Sequence, residues 1–261
     1  GAVLEGNLDD AIINVNQDYV GTYAGTDKVT VTDVAAVRYA GNTDNTWTCW
    51  INASAAPTNA TICDKGTLYW TITAAGAGDY NLSATIDHDG GNECTIVTSA
   101  GLSFNHWYHV ALVYEGSGNT AEFFINGVQA ALGTDVTGVG SMNSDTGNAL
   151  TIGNHVGNAR PFNGMLADFK FYPSALSQGE IAQLASKINY DDALISSTNK
   201  LWASLLNAST TDLGPESNTI AYTDAPTWTY DAFSVAVQDT MTTDGNFTVT
   251  QGKLEGLALS S

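Results

Sequence analysis

The sequence predicts an all-β domain built from many short antiparallel strands. Three observations carry that prediction. Apolar and polar residues alternate with period two in one short run after another, the mark of a strand with one buried face. Gly is abundant (26) while Pro is scarce (5), and the runs are separated by Gly, Asn, Asp and Ser, the residues of tight turns. Hydrophobic residues make up 43% of the 261, enough for a sizeable core in one large β-domain with an appendage or in two small domains.

The strands come in order. Lys28–Asp33 (KVTVTD) alternates cleanly. In Thr46–Ser54 (TWTCWINAS), Trp47, Cys49 and Ile51 share one face, and Thr48, Trp50 and Asn52 share the other. Leu68–Thr73 (LYWTIT) places Leu68, Trp70 and Ile72 together. Tyr80–Ile86 follows, then the turn DHDGGN, then Cys94–Ser99. Trp107–Tyr114 (WYHVALVY) reads as a strand buried on at least one face. Thr120–Ile125 returns from a turn at Glu115–Asn119. Asn126-Gly127 supplies the positive φ angles of a type I′ hairpin, and Val128–Leu132 completes three consecutive strands. A Gly/Ser/Asn-rich loop, Gly133–Gly147, leads to Ala149–Gly153, and Gly164–Tyr172 is the last long strand of this block.

The period then changes. Ser177 followed three residues later by Glu180 forms a capping box, Leu176 is placed to staple onto Ile181, and Ile181, Leu184, Ala185 and Ile188 make an apolar stripe at helical spacing. This predicts one short helix. Further on, Phe233–Gln238 and Asn246–Leu259 read as strands.

The order of elements resembles the laminin G-like, concanavalin A-like lectin/glucanase family. GTDKVTV, NTWTCWINAS, ICDKG, WYHVALVYEGSGNTAEFFINGV, LTIGNH and FNGMLADFKFYPSALSQGEIAQL carry the resemblance, over roughly residues 19 to 186. It implies a β-sandwich jelly roll of two antiparallel sheets, with ligands bound on a curved sheet or at its rim loops, and often a structural Ca2+. Relatives often have acidic residues at both positions matching Ala167 and Asp168, whereas here only Asp168 is acidic. Asp27 and Asp168 are the candidate calcium ligands, with Asp87 and Asp89 of the DHDGGN turn as further oxygen donors or simply turn residues. Calcium needs six to eight oxygens.

The domain organisation follows: an N-terminal arm over 1–18, the jelly roll over 19–188, and an extension over 189–261. Relatives begin with a strand that has no good copy in the arm, whereas Leu201–Phe233 looks like that missing segment placed after the domain. The expectation is that it completes the sandwich in its own chain or pairs with a neighbouring subunit.

Charge narrows the partners. With 8 Lys+Arg against 27 Asp+Glu the net charge is −19, which repels nucleic acid and anionic membranes. No apolar stretch approaches the roughly 18 residues of a membrane helix. The acidity suits an extracellular, cell-surface or virion-surface protein, and is equally explained by solubility alone. Cys49 and Cys63 are read as lying on neighbouring strands, so Cys49, Cys63 and Cys94 are either three small buried hydrophobes or include one cross-strand disulfide.

Catalysis is not expected. Glucanases of this family carry an E-x-D-x-x-E strand whose alternation sets carboxylates on one face, and none of the seven Glu residues rebuilds it. No G-x-S-x-G, H-E-x-x-H or P-loop occurs, and His109 reads as structural. Sugar recognition needs exposed aromatic faces, and Trp50, Tyr69 and Tyr108 are the candidates by alternation. The functional reading is therefore a non-catalytic surface module for structure or adhesion, of virion or cell-surface type, with other protein subunits and glycans as partners. A free-standing secreted lectin is the alternative and a glycoside hydrolase the third reading.

Overall fold

A computed structural model describes residues 19–39, 42–55, 59–76, 78–186, 195–224 and 226–230. The arm over 1–18 and the expected strands Phe233–Gln238 and Asn246–Leu259 lie outside them. Two antiparallel sheets face each other. The first has the order β11-β10-β9-β3-β14-β1-β17, with β15 also paired to β14. The second has the order β12-β7-β6-β5-β4-β13-β2-β16, with β8 also on β6.

The first sheet is built from β1 (Tyr19–Tyr23), β3 (Asn45–Ala55), β9 (Tyr108–Glu115), β10 (Thr120–Ile125), β11 (Val128–Gln129), β14 (Asn163–Tyr172), β15 (Leu201–Ala203) and β17 (Thr227–Tyr230). The second is built from β2 (Lys28–Val31), β4 (Ala60–Asp64), β5 (Leu68–Gly76), β6 (Asp79–Ile86), β7 (Cys94–Thr98), β8 (Leu102–Ser103), β12 (Leu132–Val136), β13 (Leu150–Ile152) and β16 (Ile220–Thr223). Between the sheets lies one continuous core. Trp47, Cys49 and Ile51 meet Leu68, Trp70, Ile72, Leu82 and Ile86, all fully buried. Trp47 stacks at a tilt on Phe171 with centroids 4.3 Å apart, and meets Tyr39 edge-on at 5.9 Å.

The helix α1 (Gln178–Leu184) begins as expected. Ser177 Oγ accepts from the Glu180 N–H, and the Glu180 carboxylate accepts from the Ser177 N–H at 2.9 Å. Leu176 and Ile181 are buried together, with Leu184, on the outside of the first sheet against Ala111, Val113, Phe124 and Tyr172. At the hairpin Asn126 and Gly127 have φ of 50° and 80°. A Cβ at Gly127 would sit 2.7 Å from Ala182 Cα, so glycine both makes the turn and lets α1 rest on it.

Two strand readings need correction. Val128–Leu132 is not one strand: β11 ends at Gln129, and the chain crosses to the other sheet, where β12 pairs with β7. Part of the expected loop Gly133–Gly147 is therefore strand. Cys49 and Cys63 do not lie on neighbouring strands either: β3 and β4 belong to opposite sheets, and all three cysteines are buried free thiols. Consecutive strands that change sheets cannot be told from a hairpin by alternation, because both partners keep an inward face.

The segment after the helix is woven into this sandwich within its own chain. β15 pairs with β14, β16 adds to the edge of the second sheet beside β2, and β17 adds to the edge of the first beside β1. Asp212 organises the intervening turn: one of its oxygens accepts from the Trp202 and Gly214 N–H groups, the other from Asn218 N and Nδ2.

Candidate binding face

The two outer faces differ. On the first sheet the outward parity holds Trp50, His109, Ala111, Val113 and Ala167, and it is covered. Trp50 packs with Val20, Ala167, Leu206, Trp107 and Met165, and its ring meets His109 edge-on at 5.5 Å. Trp50 is thus partly covered by the segment after β15 and by neighbours on its own sheet. His109 is 2% exposed; burial and then the Lys170 charge push its imidazole down to about 3, so it stays neutral.

Asp168 sits where β14 bulges. Its φ is 53°, it lies between the stretch paired with β1 and the stretch paired with β15, and its N–H donates to Ser204 O. Its Oδ1 accepts the Trp202 indole N–H at 2.7 Å and lies 3.7 Å from Lys170 Nζ, which sits 4.0 Å over the Trp202 ring. A carboxylate facing an ammonium and an indole donor is an ion-pair partner, and Lys170 would repel a metal ion. Asp27 closes the turn from β1 to β2, accepting the Ala24 N–H at 2.9 Å. Asp89 accepts the Ser141 N–H. Among the described residues, no three His, Cys, Asp or Glu side chains gather as metal ligands. The residues named for Ca2+ do not fit that ion here.

Tyr108 faces inward. It is paired with Ile51, packs against the main core, and its hydroxyl accepts from the Ser103 N–H at 3.3 Å. The strand WYHVALVY is apolar on both parities, so alternation alone pointed its Tyr the wrong way.

Tyr69 lies on the outer face of the second sheet. Direct strand pairing puts Thr95, Thr85, Tyr69, Asp64, Thr151, Thr30 and Ala221 in one row across seven strands. At the usual spacing of neighbouring strands the row spans on the order of 30 Å. A second row runs Val97, Ser83, Thr71, Thr61 and a third Asn81, Thr73. The inward parity of β5 and β6 is wholly apolar, so these hydroxyl and amide side chains have only the outside to face. Asn81 Oδ1 is buried and has no hydrogen-bond partner among the described residues.

The loop after β13 closes one end of this face. Asn154 anchors it, donating to Gly25 O and accepting from the Arg160 N–H. His155 Nε2 is 3.5 Å from Asp64 Oδ2, which also accepts the Val156 N–H, while Asp64 Oδ1 accepts the Gly66 N–H at 2.7 Å. Tyr69 Oη donates to Gly66 O at 2.5 Å, which fixes the ring. Burial raises the Tyr69 phenol's pKa, with Asp87 and Asp64 adding to it and Arg160 opposing. Burial, with Glu93, raises the Asp87 carboxyl's. The face thus offers one fixed aromatic ring, a field of hydroxyls, and both charge signs at its rim. Alternation placed Tyr69 on an outward face but could not show its row, because no single strand shows which residues of other strands stand beside it.

Fold and face together define a β-sandwich whose second sheet is partly exposed over β5, β6 and β7, while Asp64 and Thr151 farther along the same row are buried. Residues 23–182, more than half of the chain, match the family model described as the concanavalin A-like lectin/glucanases superfamily, and the chain belongs to that family. Among solved structures it is similar to a candidate carbohydrate-binding protein from Bacteroides ovatus, at 21% identity over 80% of this chain with a TM-score of 0.58. The chain spans 61% of that protein's length. It is also similar to a heptameric SAP-like pentraxin from Limulus polyphemus, at 14% identity over 73% of this chain and 94% of that one, TM-score 0.52. These likenesses are of fold. No curated protein matches the chain. No helix among the described residues is long and apolar enough to cross a membrane.

Proposed function

We propose that the chain is a non-catalytic carbohydrate-binding module of an extracellular or surface-displayed protein, and that it binds glycan on the outer face of the second sheet. The transverse row through Tyr69 carries this reading. A sugar's C–H face stacks on the Tyr69 ring, while Thr85, Thr95 and Ser83 offer donors and acceptors to its hydroxyls. The partly exposed end of the row, Thr95, Thr85 and Tyr69, suits a sugar lying across β7, β6 and β5, while Asp64 and Thr151 beyond it are buried. The family, and the carbohydrate-binding description of the Bacteroides protein, support the same class of ligand.

The carboxylates support binding over hydrolysis. Both oxygens of Asp64 are engaged by backbone N–H groups, and His155 adds to one of them, so this carboxylate is held in the scaffold rather than free to attack a sugar. A glycan array followed by calorimetry on the best ligand tests the reading. Tyr69→Ala should weaken binding at least about tenfold, a loss within the usual range for an aromatic anchor, with melting temperature little changed. Ligand binding unaffected by Tyr69→Ala, or release of reducing sugar from the bound glycan, would overturn it.

A further inference from the structure

A second site lies in the turn between β4 and β5, beside the strand pairing that holds Asp64 and Tyr69. Lys65 stands in the turn between β4 and β5 and is fully buried. Its Nζ is surrounded by oxygen: Asp33 Oδ1 at 3.1 Å, Asp145 Oδ2 at 3.1 Å and Asn148 O at 2.5 Å. Gly66, at φ +82°, lets the Asn148 side chain close over the turn, where a Cβ would collide with it.

The two carboxylates are treated differently. Asp33 is clamped by Arg38, whose Nε lies 3.0 Å from both oxygens and whose Nη2 lies 2.5 Å from Oδ2, and it also accepts the Gly147 N–H at 2.8 Å. The Arg38 hydrogen bonds hold its carboxyl well below the usual range. Asp145 is fully buried; its Oδ2 accepts only weakly from the Tyr39 N–H, at 3.4 Å, and its Oδ1 has no hydrogen-bond partner among the described residues. Burial pushes its carboxyl above the ordinary value, against the pull of Lys65. An ion pair sealed from water with one bare oxygen is a costly ground state, and the neutral amine and carboxylic acid carry the same net charge without that cost.

We propose that Lys65 and Asp145 condense spontaneously to an intramolecular isopeptide bond, with Asp33 as the proton carrier. Proton transfer within the pair gives the Lys65 amine and the Asp145 carboxylic acid. The Nζ lone pair attacks Asp145 Cγ, forming a zwitterionic tetrahedral adduct with one hydroxyl, one oxyanion and a protonated nitrogen. Asp33 takes a proton from that nitrogen and delivers it to the hydroxyl, which leaves as water while the oxyanion reforms the C=O. One N–C bond forms, one C–O bond breaks, and no oxidant or cofactor is consumed. Burial favours loss of water, and Lys65 Nζ is held 3.1 Å from Asp145 Oδ2, so the amine and the carboxyl group need no diffusion to meet. The product leaves Asp33 and Arg38 as a balanced pair, so no buried charge is stranded. The bond would tie the β4–β5 turn to the loop before β13, next to the pairing of Thr151 with Asp64.

Intact mass of the full chain under denaturing conditions reads this directly. The expected mass is one water below that calculated from the sequence, and a tryptic digest should yield a branched peptide joining Lys65 to Asp145. Lys65→Met and Asp145→Ala should restore the calculated mass for each variant. Asp145→Asn should form the same link by losing ammonia. Asp33→Asn, folded by circular dichroism, should retain full mass or lose water much more slowly. A wild-type chain at full calculated mass, with Lys65 in a linear peptide, overturns the proposal. So does a water loss that maps instead to an Asp-Gly step such as Asp89-Gly90.

Discussion

The two outer faces of this sandwich are built by the same alternation and have opposite fates. On the first sheet the outward residues of β9, Ala111 and Val113, are buried under α1, and Ala167 is buried with Leu206, with Trp50 partly covered beside them. On the second sheet the outward residues of β6 and β7, Ser83, Thr85, Thr95 and Val97, remain partly exposed. A face covered by another layer becomes core and contributes stability. A face left open has room to bind. Part of the difference is already present in chemistry: β9 is apolar on both parities apart from His109, whereas β6 places Asn81, Ser83 and Thr85 on one.

The sharpest way to break the comparison is to put one charge on each face. Ala111→Asp buries an unpaired carboxylate beneath α1 and should cost at least about 4 kcal/mol, or prevent folding. Thr85→Asp on the open face should change stability by less than about 1 kcal/mol. Urea unfolding of both variants decides it, and equal losses would mean that the second face is covered too.

A pH titration of stability probes the covered face from within. His109 is neutral when folded, with its pKa depressed to about 3 by burial and Lys170. The unfolded chain binds its proton near pH 6.5, so the contribution of His109 is complete above that value and is lost as pH falls toward 3. That loss reaches on the order of 4 kcal/mol. His109→Gln should flatten the slope of stability between those pH values. A slope unchanged by the substitution would show that the imidazole already reaches water.

The smallest effect tests the cover itself. Ser177→Ala removes the α1 cap and should cost about 1 kcal/mol. Burial pushes the Glu180 carboxyl up, but hydrogen bonds from Ser196 and Ser177 outweigh it and hold it at about 2. Its contribution is therefore present above the ordinary carboxylate range and lost as pH falls through about 2. Thermal melts of Ser177→Ala should show a small shift with Tyr69-dependent binding intact, because α1 lies on the other sheet.

Much of the fold was legible in single strands. The long strands up to Tyr172, the Asn126-Gly127 hairpin and the capping box at Ser177 are local: each is decided by side-chain period or backbone φ within a few residues, and the structure keeps them. The misreadings share one cause. Tyr108 sits in a strand apolar on both parities, Val128–Leu132 hides a change of sheet, and Cys49 and Cys63 look adjacent because only a short stretch separates their strands. In each case alternation leaves two placements equally good, and a partner distant in sequence breaks the tie.

By itself, then, the sequence determined the short antiparallel strands, their turns and the capped helix at Ser177, because those follow from local periodicity and sterics, and its resemblance to the family implied the two-sheet sandwich. Tertiary structure alone decided which outer face stays open. It also decided that Asp168 pairs with Trp202 and Lys170, that Tyr69 stands in a row drawn from seven strands, and that Lys65 meets Asp33 and Asp145. These are contacts between residues far apart in the chain, and they exist only once non-local pairing has set the register of every strand against the next.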